Sequence, residues 1–165
     1  MGKTSENLKA AFAGESQANR KYLAFADKAL QEGYEQVARL FRAAAAAETV
    51  HAHSHLKVLE GVRSTAENLE EAISGENYEA EVMYPEFIAL AEGEGDKRAV
   101  KTFSNALAAE KVHEAMYRDA LGNLENEADQ YEYYVCPVCG HTHARFAPDQ
   151  CPVCGVKGER FIHIP

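Results

Sequence analysis

The sequence predicts an all-α antiparallel bundle of four long helices, followed by a small, metal-bound β-ribbon module. Three observations carry this. Long stretches of helical hydrophobic periodicity are separated by short glycine-containing turns. Within them the pattern Glu-x-x-His occurs twice, as Glu48-Thr-Val-His51 and Glu110-Lys-Val-His113. All four cysteines lie after residue 135, in two Cys-x-x-Cys pairs.

The first helix is expected over about 4–32, with Thr4 or Ser5 able to cap it. Leu8, Phe12, Glu15, Tyr22, Phe25 and Ala29 share one stripe, where a solvated carboxylate at Glu15 is out of place. Gly33 ends it. The second runs over about 35–60, its inner face marked by Val37, Leu40, Phe41, Ala44, Glu48, His51, His55, Val58 and Leu59, and Gly61 closes it. The third covers about 65–92, with a cap in Thr65-Ala66-Glu67-Asn68 and an inner stripe of Leu69, Ile73, Glu76, Glu79, Met83, Phe87 and Leu90. Gly75 and Pro85 weaken this helix, and a bend is expected near Pro85. After Gly93-Glu94-Gly95 the fourth runs over about 96–127, with Phe103, Leu107, Glu110, His113, Met116 and Leu121 inward. Short turns between long helices give an antiparallel bundle.

On a helix, residues three apart share a face, so each Glu-x-x-His can grip one ion. The partners follow from counting along each hairpin. Glu15 lies 18 residues before Gly33, and Glu48 and His51 lie 15 and 18 after it. Glu76 and Glu79 lie 18 and 15 before Glu94, and Glu110 and His113 lie 16 and 19 after it. At a rise of ~1.5 Å per residue these seven ligands fall within about one helical turn of a common level. The two hairpins repeat each other, as an internal duplication would; the extra glutamate on the third helix is the asymmetry. Several buried carboxylates without cations would have to protonate or cost many kcal/mol. Five carboxylates and two imidazoles exceed by one the six residues of a carboxylate-bridged two-metal site. The surplus allows one metal to exchange a carboxylate for His51 as its charge changes. A purely solvated acidic face is the blander reading. Tyr22 and Tyr84 are placed to hydrogen-bond ligand carboxylates, or to serve as core aromatics. His53 is expected to be exposed, and the His51/His55 spacing of four is a weaker alternative pair.

From Tyr131 the composition changes, and Glu125–Gln130 reads as a polar linker. The expected organisation is 1–130 for the bundle and 131–165 for the module, which is too short to fold without a staple. Cys136-Pro-Val-Cys139-Gly and Cys151-Pro-Val-Cys154-Gly form two knuckles whose four thiolates suit zinc or a single iron. His141, His143 and His163 are expected at the surface, since four cysteines complete the shell. The net charge is -9. The last 35 residues balance three acids against three bases, so the excess lies in the first 130. That argues against a nucleic-acid surface. No apolar run can span a bilayer. The N-terminus enters a charged helical pattern without an apolar leader, so the expected location is cytoplasmic.

The segments Ala-Phe-Ala-Gly-Glu15-Ser-Gln-Ala, Glu48-x-x-His51, Gly-Glu76-x-x-Glu79, Met-Tyr84-Pro-x-Phe, Glu110-x-x-His113 and the two Cys-Pro-x-Cys-Gly pairs resemble rubrerythrin over almost the full length. The resemblance implies a ferritin-like bundle holding two non-haem irons, and a rubredoxin-like domain with one iron on Cys136, Cys139, Cys151 and Cys154. It implies that Glu48 and Glu110 bridge the irons, and that Glu15, Glu76, Glu79 and His113 are terminal ligands. Iron then moves between Glu79 and His51 with oxidation state. A homodimer is implied, with the cysteine site of one chain near the di-iron site of the other. His141 stands where the family often has Tyr.

The implied activity is that of a hydrogen-peroxide reductase protecting against oxidative stress. Glu79 serves as a proton donor, and electrons arrive from an NAD(P)H-linked reductase or a small redox carrier. Two other functions fit parts of the sequence. One is a ferroxidase or iron-storing relative, which has no need of the cysteine module. The other is a non-enzymatic protein with zinc in its metal sites.

Overall fold

A computed structural model describes residues 2–126 and 130–165. The expected linker over Glu125–Gln130 therefore lies partly outside the described residues. The observed class matches the expectation: long antiparallel helices, then a small antiparallel sheet carrying the four cysteines. The chain forms two compact units, residues 1–63 and 64–165.

The first unit is a helical hairpin of α1 (Lys3–Gln31) and α2 (Glu35–Val58). Gly33, at φ 83°, makes the turn, in the left-handed region open to glycine. The helices meet on alanines. Ala26 and Ala29 of α1 are buried, as are Ala38, Ala45 and Ala52 of α2, seven residues apart. Phe41 and His51 of the expected stripe also meet α1. Small side chains at every second turn let the backbones approach closely, so they take the α1–α2 seam. Leu40 and Val58 of the expected stripe stay 66% exposed. At the level of Glu48, the Asn19 carboxamide donates to the Ala45 carbonyl at 2.7 Å and to Thr49 Oγ1 at 2.9 Å, pinning α1 to α2. Tyr22, Phe25 and Phe41 cluster nearby, with Phe25 and Phe41 edge to face at 5.6 Å.

The second unit begins with α3 (Thr65–Tyr78), capped by Ser64. The Ser64 hydroxyl accepts from the Glu67 amide while the Glu67 carboxylate accepts from the Ser64 amide, so two otherwise orphaned N–H groups are satisfied. A π-helical turn over Glu79–Met83 follows, then α4 (Tyr84–Glu94). The disturbance expected near Pro85 is thus a π turn that ends just before it. Pro85 lacks an N–H and cannot continue the ladder behind it, while its fixed φ suits the first turn of a new helix. Gly95, at φ 75°, leads to Asp96, whose carboxylate accepts from the amides of Arg98 and Ala99 at the head of α5 (Lys97–Gly122). α5 ends five residues short of the expected 127. Its last residue is a glycine, and Asn123 turns its carboxamide back onto the Asp119 carbonyl.

The cysteine module has strands β1 (Tyr133–Val135), β2 (Thr142–Ala144) and β3 (Ile162–Ile164), antiparallel in the order β2-β1-β3. Val135 pairs with Thr142 on one side and Ile162 on the other. Cys136, Cys139 and Cys151 form its buried core, with Val153, Val156 and Phe161 packed around them. His163 is exposed, His143 is half-buried against Phe146, and His141 is not at the surface: it is only 6% exposed, close enough to His143 and to His113 of α5 to feel both.

Candidate metal centres

Among the described residues, three groups of ligand side chains converge, one in the first unit and two in the second. In the hairpin, His51 Nδ1 lies 2.9 Å from Glu48 Oε2 and 3.9 Å from Glu15 Oε1. In the second unit, His113 Nδ1 lies 2.8 Å from Glu110 Oε2 and 3.8 Å from Glu76 Oε1. The two triads have the same geometry, and the aromatic packing beside them repeats as well. Tyr84, Phe87 and Phe103 stand as Tyr22, Phe25 and Phe41 do, each 62 residues further on, with Phe87 and Phe103 again 5.6 Å apart. Glu110 and His113 keep the same offset from Glu48 and His51.

Glu76 breaks the offset, lying 61 residues after Glu15. Between Glu76 and Tyr84 comes the π turn, in which hydrogen bonds span five residues instead of four. One inserted residue is absorbed there without unwinding the helix. Glu79 opens that turn, so the surplus carboxylate noted in the sequence sits where the second hairpin departs from the first. Glu79 is not part of the converging triad, but it is close enough to feel the Glu110 charge.

The electrostatics favour cations. Burial, then the adjacent Glu110 carboxylate, pushes the Glu76 carboxyl up to about 7. Glu79 is raised by burial and by Glu110. The Tyr84 phenol is held above its usual range by burial and by Glu79, Glu110 and Glu76. Tyr84 is therefore a neutral O–H donor beside three carboxylates. Tyr22 contributes ring packing. In each triad an imidazole nitrogen and two carboxylate oxygens converge, with Nδ1 within hydrogen-bond distance of one carboxylate. A ring proton or a bound cation satisfies that arrangement, and oxygen and imidazole donors suit a divalent iron.

The four cysteines are free thiols brought together. Cys136 Sγ and Cys154 Sγ are 3.5 Å apart, as are Cys139 Sγ and Cys151 Sγ. Four sulfurs at ~2.3 Å from a tetrahedral ion stand roughly 3.8 Å apart, so the arrangement fits one. The knuckles mirror each other. The Gly140 amide donates to the Cys136 carbonyl at 3.0 Å, and the Gly155 amide to the Cys151 carbonyl at 2.9 Å. Both glycines have positive φ, which brings the chain back under the sulfurs. Burial opposes the Cys136 thiolate, but the amides of Val138 and Cys139 donate to its sulfur and hold it at about 7. Burial pushes Cys139 up.

Every ligand expected from the sequence lies in one of these groups except Glu79, which flanks one. Sequence reasoning missed Thr142. Its hydroxyl lies 2.9 Å from His113 Nε2, linking the cysteine module to α5. A threonine on a three-residue strand carries no sequence signal for such a contact.

A model of the rubrerythrin family matches residues 6–121. A model of the rubrerythrin rubredoxin-like domain matches residues 134–162. Rubrerythrin-2 of Clostridium acetobutylicum is 36% identical over 174 residues, covering 96% of this chain and 95% of its own. Nigerythrin of Nitratidesulfovibrio vulgaris is 39% identical over 168 residues, covering 93% and 83%. The fully reduced, all-ferrous structure of nigerythrin matches with a TM-score of 0.60 at 38% identity, over 99% of this chain and 87% of that one.

Proposed function

The chain belongs to the rubrerythrin family, and from that premise we propose that it reduces hydrogen peroxide to water with electrons passed through its four-cysteine site. The cofactors are those of the family: two non-haem irons held by the carboxylates and imidazoles of the helices, and one iron held by four thiolates. Glu15, Glu48, His51, Glu76, Glu79, Glu110 and His113 would hold the first two. Cys136, Cys139, Cys151 and Cys154 would hold the third. Bound there, the irons would supply electrons for cleaving the O–O bond.

The observation that carries the reading is the pairing of a thiolate site with the Glu76–Glu110–His113 triad in one compact unit. Iron storage requires carboxylates but no thiolate relay. Peroxide reduction requires electrons one at a time and protons at the same place. Glu79 is suited to the proton: burial and Glu110 favour its protonated form, and it lies beside the triad and outside it. Tyr84 keeps its proton and orients carboxylate oxygens. His51 is the exchangeable ligand, since its side chain is 55% exposed against 25% for His113. The protein acts as a cytoplasmic homodimer. Its electrons come from an NAD(P)H-linked reductase or a small carrier, and its role is protection against oxidative stress.

The test is to reduce the iron-loaded protein anaerobically, add stoichiometric peroxide and follow the visible bands of the thiolate iron. Prompt reoxidation with loss of peroxide is expected. A thiolate site that stays reduced while peroxide persists sinks the proposal. Iron bound far beyond three per chain would favour storage.

A further inference from the structure

His113 is held from two sides, and only one of them faces the carboxylates. Nδ1 points at Glu110 and Glu76. Nε2 points the other way, at Thr142 Oγ1, 2.9 Å away on strand β2. The Thr142 hydroxyl also donates to the Gly140 carbonyl at 3.3 Å. A hydroxyl has one proton to give. A metal on Nδ1 requires the hydrogen on Nε2, and with its own proton on Gly140 the Thr142 oxygen is placed to accept it. That is the tautomer and orientation a ligating imidazole needs, set by a partner on its far nitrogen.

Thr142 lies three residues after Cys139, and Gly140 closes the first knuckle. A chain of two hydrogen bonds thus runs from the knuckle backbone to the metal-facing imidazole within one unit. The bond borders a largely apolar recess of about 340 Å³, whose walls include Leu69, Met116, Tyr117 and Tyr133. His51, the counterpart in the first hairpin, has no such anchor: among the described residues of its unit, its Nε2 has no hydrogen-bond partner.

We propose that Thr142 is a positioning residue that fixes the ring and tautomer of His113 as a metal ligand, so that the cysteine module of a chain steadies the helical metal site of the same chain. This rests on the reading of Glu76, Glu110 and His113 as ligands, and not on peroxide as the substrate. It also explains why one imidazole of the repeated pair is permanent and the other can leave.

The full chain loaded with zinc in all sites is diamagnetic, so its imidazoles can be read by long-range proton–nitrogen correlation. In the unaltered protein, His113 is expected to show a metal-bound Nδ1 and a slowly exchanging proton on Nε2. Thr142→Val should lose the slow exchange and weaken zinc at the helical site about 10- to 100-fold in chelator competition, the usual cost of removing such a partner. Thr142→Ser, which keeps the hydroxyl, should restore both. Cobalt bands of the cysteine site, unchanged in all three, establish that the module is folded. A metal-bound Nε2 in the unaltered protein overturns the proposal by itself, with no variant needed. So does a folded Thr142→Val protein with unchanged exchange and affinity. A chain that meets these expectations yet leaves peroxide intact refutes the peroxide reading alone.

Discussion

A buried imidazole with neither ring nitrogen hydrogen-bonded costs stability, and His141 is in that position. Burial, and then the neighbouring His143 and His113, holds its pKa below the ordinary value, so the ring stays neutral at physiological pH. An apolar ring of similar size removes the unsatisfied nitrogens. His141→Phe is therefore expected to keep or raise the thermal midpoint, by as much as the ~1–3 kcal/mol that an orphaned polar group costs. A clear loss on calorimetry would show that the imidazole has a partner. Glu76 makes the second argument at this scale. Its carboxyl sits at about 7 in the fold, against an ordinary 4.5. Between those values the folded, metal-free protein binds more protons than the unfolded chain, so its stability falls as pH rises through that window. Melting temperatures of chelated protein should drop from pH 5 to pH 7.5. Glu76→Gln should flatten that slope, and added divalent metal should restore the midpoint at the higher pH.

At the scale of elements, the π turn is the feature that sets ligand register. Deleting Val82, an exposed residue inside it, should return the segment to α-helix and rotate Tyr84 relative to Glu76. Far-ultraviolet dichroism is expected to stay the same while metal bound at the helical site falls by about half. Unchanged metal content would show that the register is set elsewhere. The Ser64 cap is ordinary by comparison: Ser64→Ala should cost about 1 kcal/mol in denaturant unfolding and leave metal content alone. Most helix boundaries were legible, because glycine at positive φ and a capping glutamate act locally. The π turn was not. Gly75 and Pro85 announced a disturbance near it, yet a one-residue insertion leaves hydrophobic spacing almost intact, and its trace is the change of offset between Glu76 and Tyr84. The hairpin seam of α2 is less legible for another reason. Periodicity reports all apolar residues together and does not say that Ala38, Ala45 and Ala52 take the hairpin seam while Leu40 stays exposed.

For the molecule as a whole, the sequence was most informative where chemistry demands residue type and spacing together. Two cysteine knuckles and two Glu-x-x-His pairs mark three ligand groups from residue type and spacing alone. Thr142 was invisible because its role depends on how a strand packs against a helix 29 residues away in the chain. The buried cysteines are most of the module's core, so metal must hold it together. Strong chelation should therefore abolish the near-ultraviolet signal of Tyr131, Tyr133 and Tyr134 while most helical dichroism survives. Survival of the tyrosine signal in metal-free protein would refute that dependence.

The extra residue of the π turn has a consequence for ancestry. Duplicating a hairpin yields two equal halves, and equal halves would offer the same ligands on each side, so that nothing distinguishes one from the other. A single added codon in one copy, placed where a helix could absorb it, is enough to end that equivalence. The spare carboxylate then stands on one side only, and the polarity of the centre is inherited in the backbone.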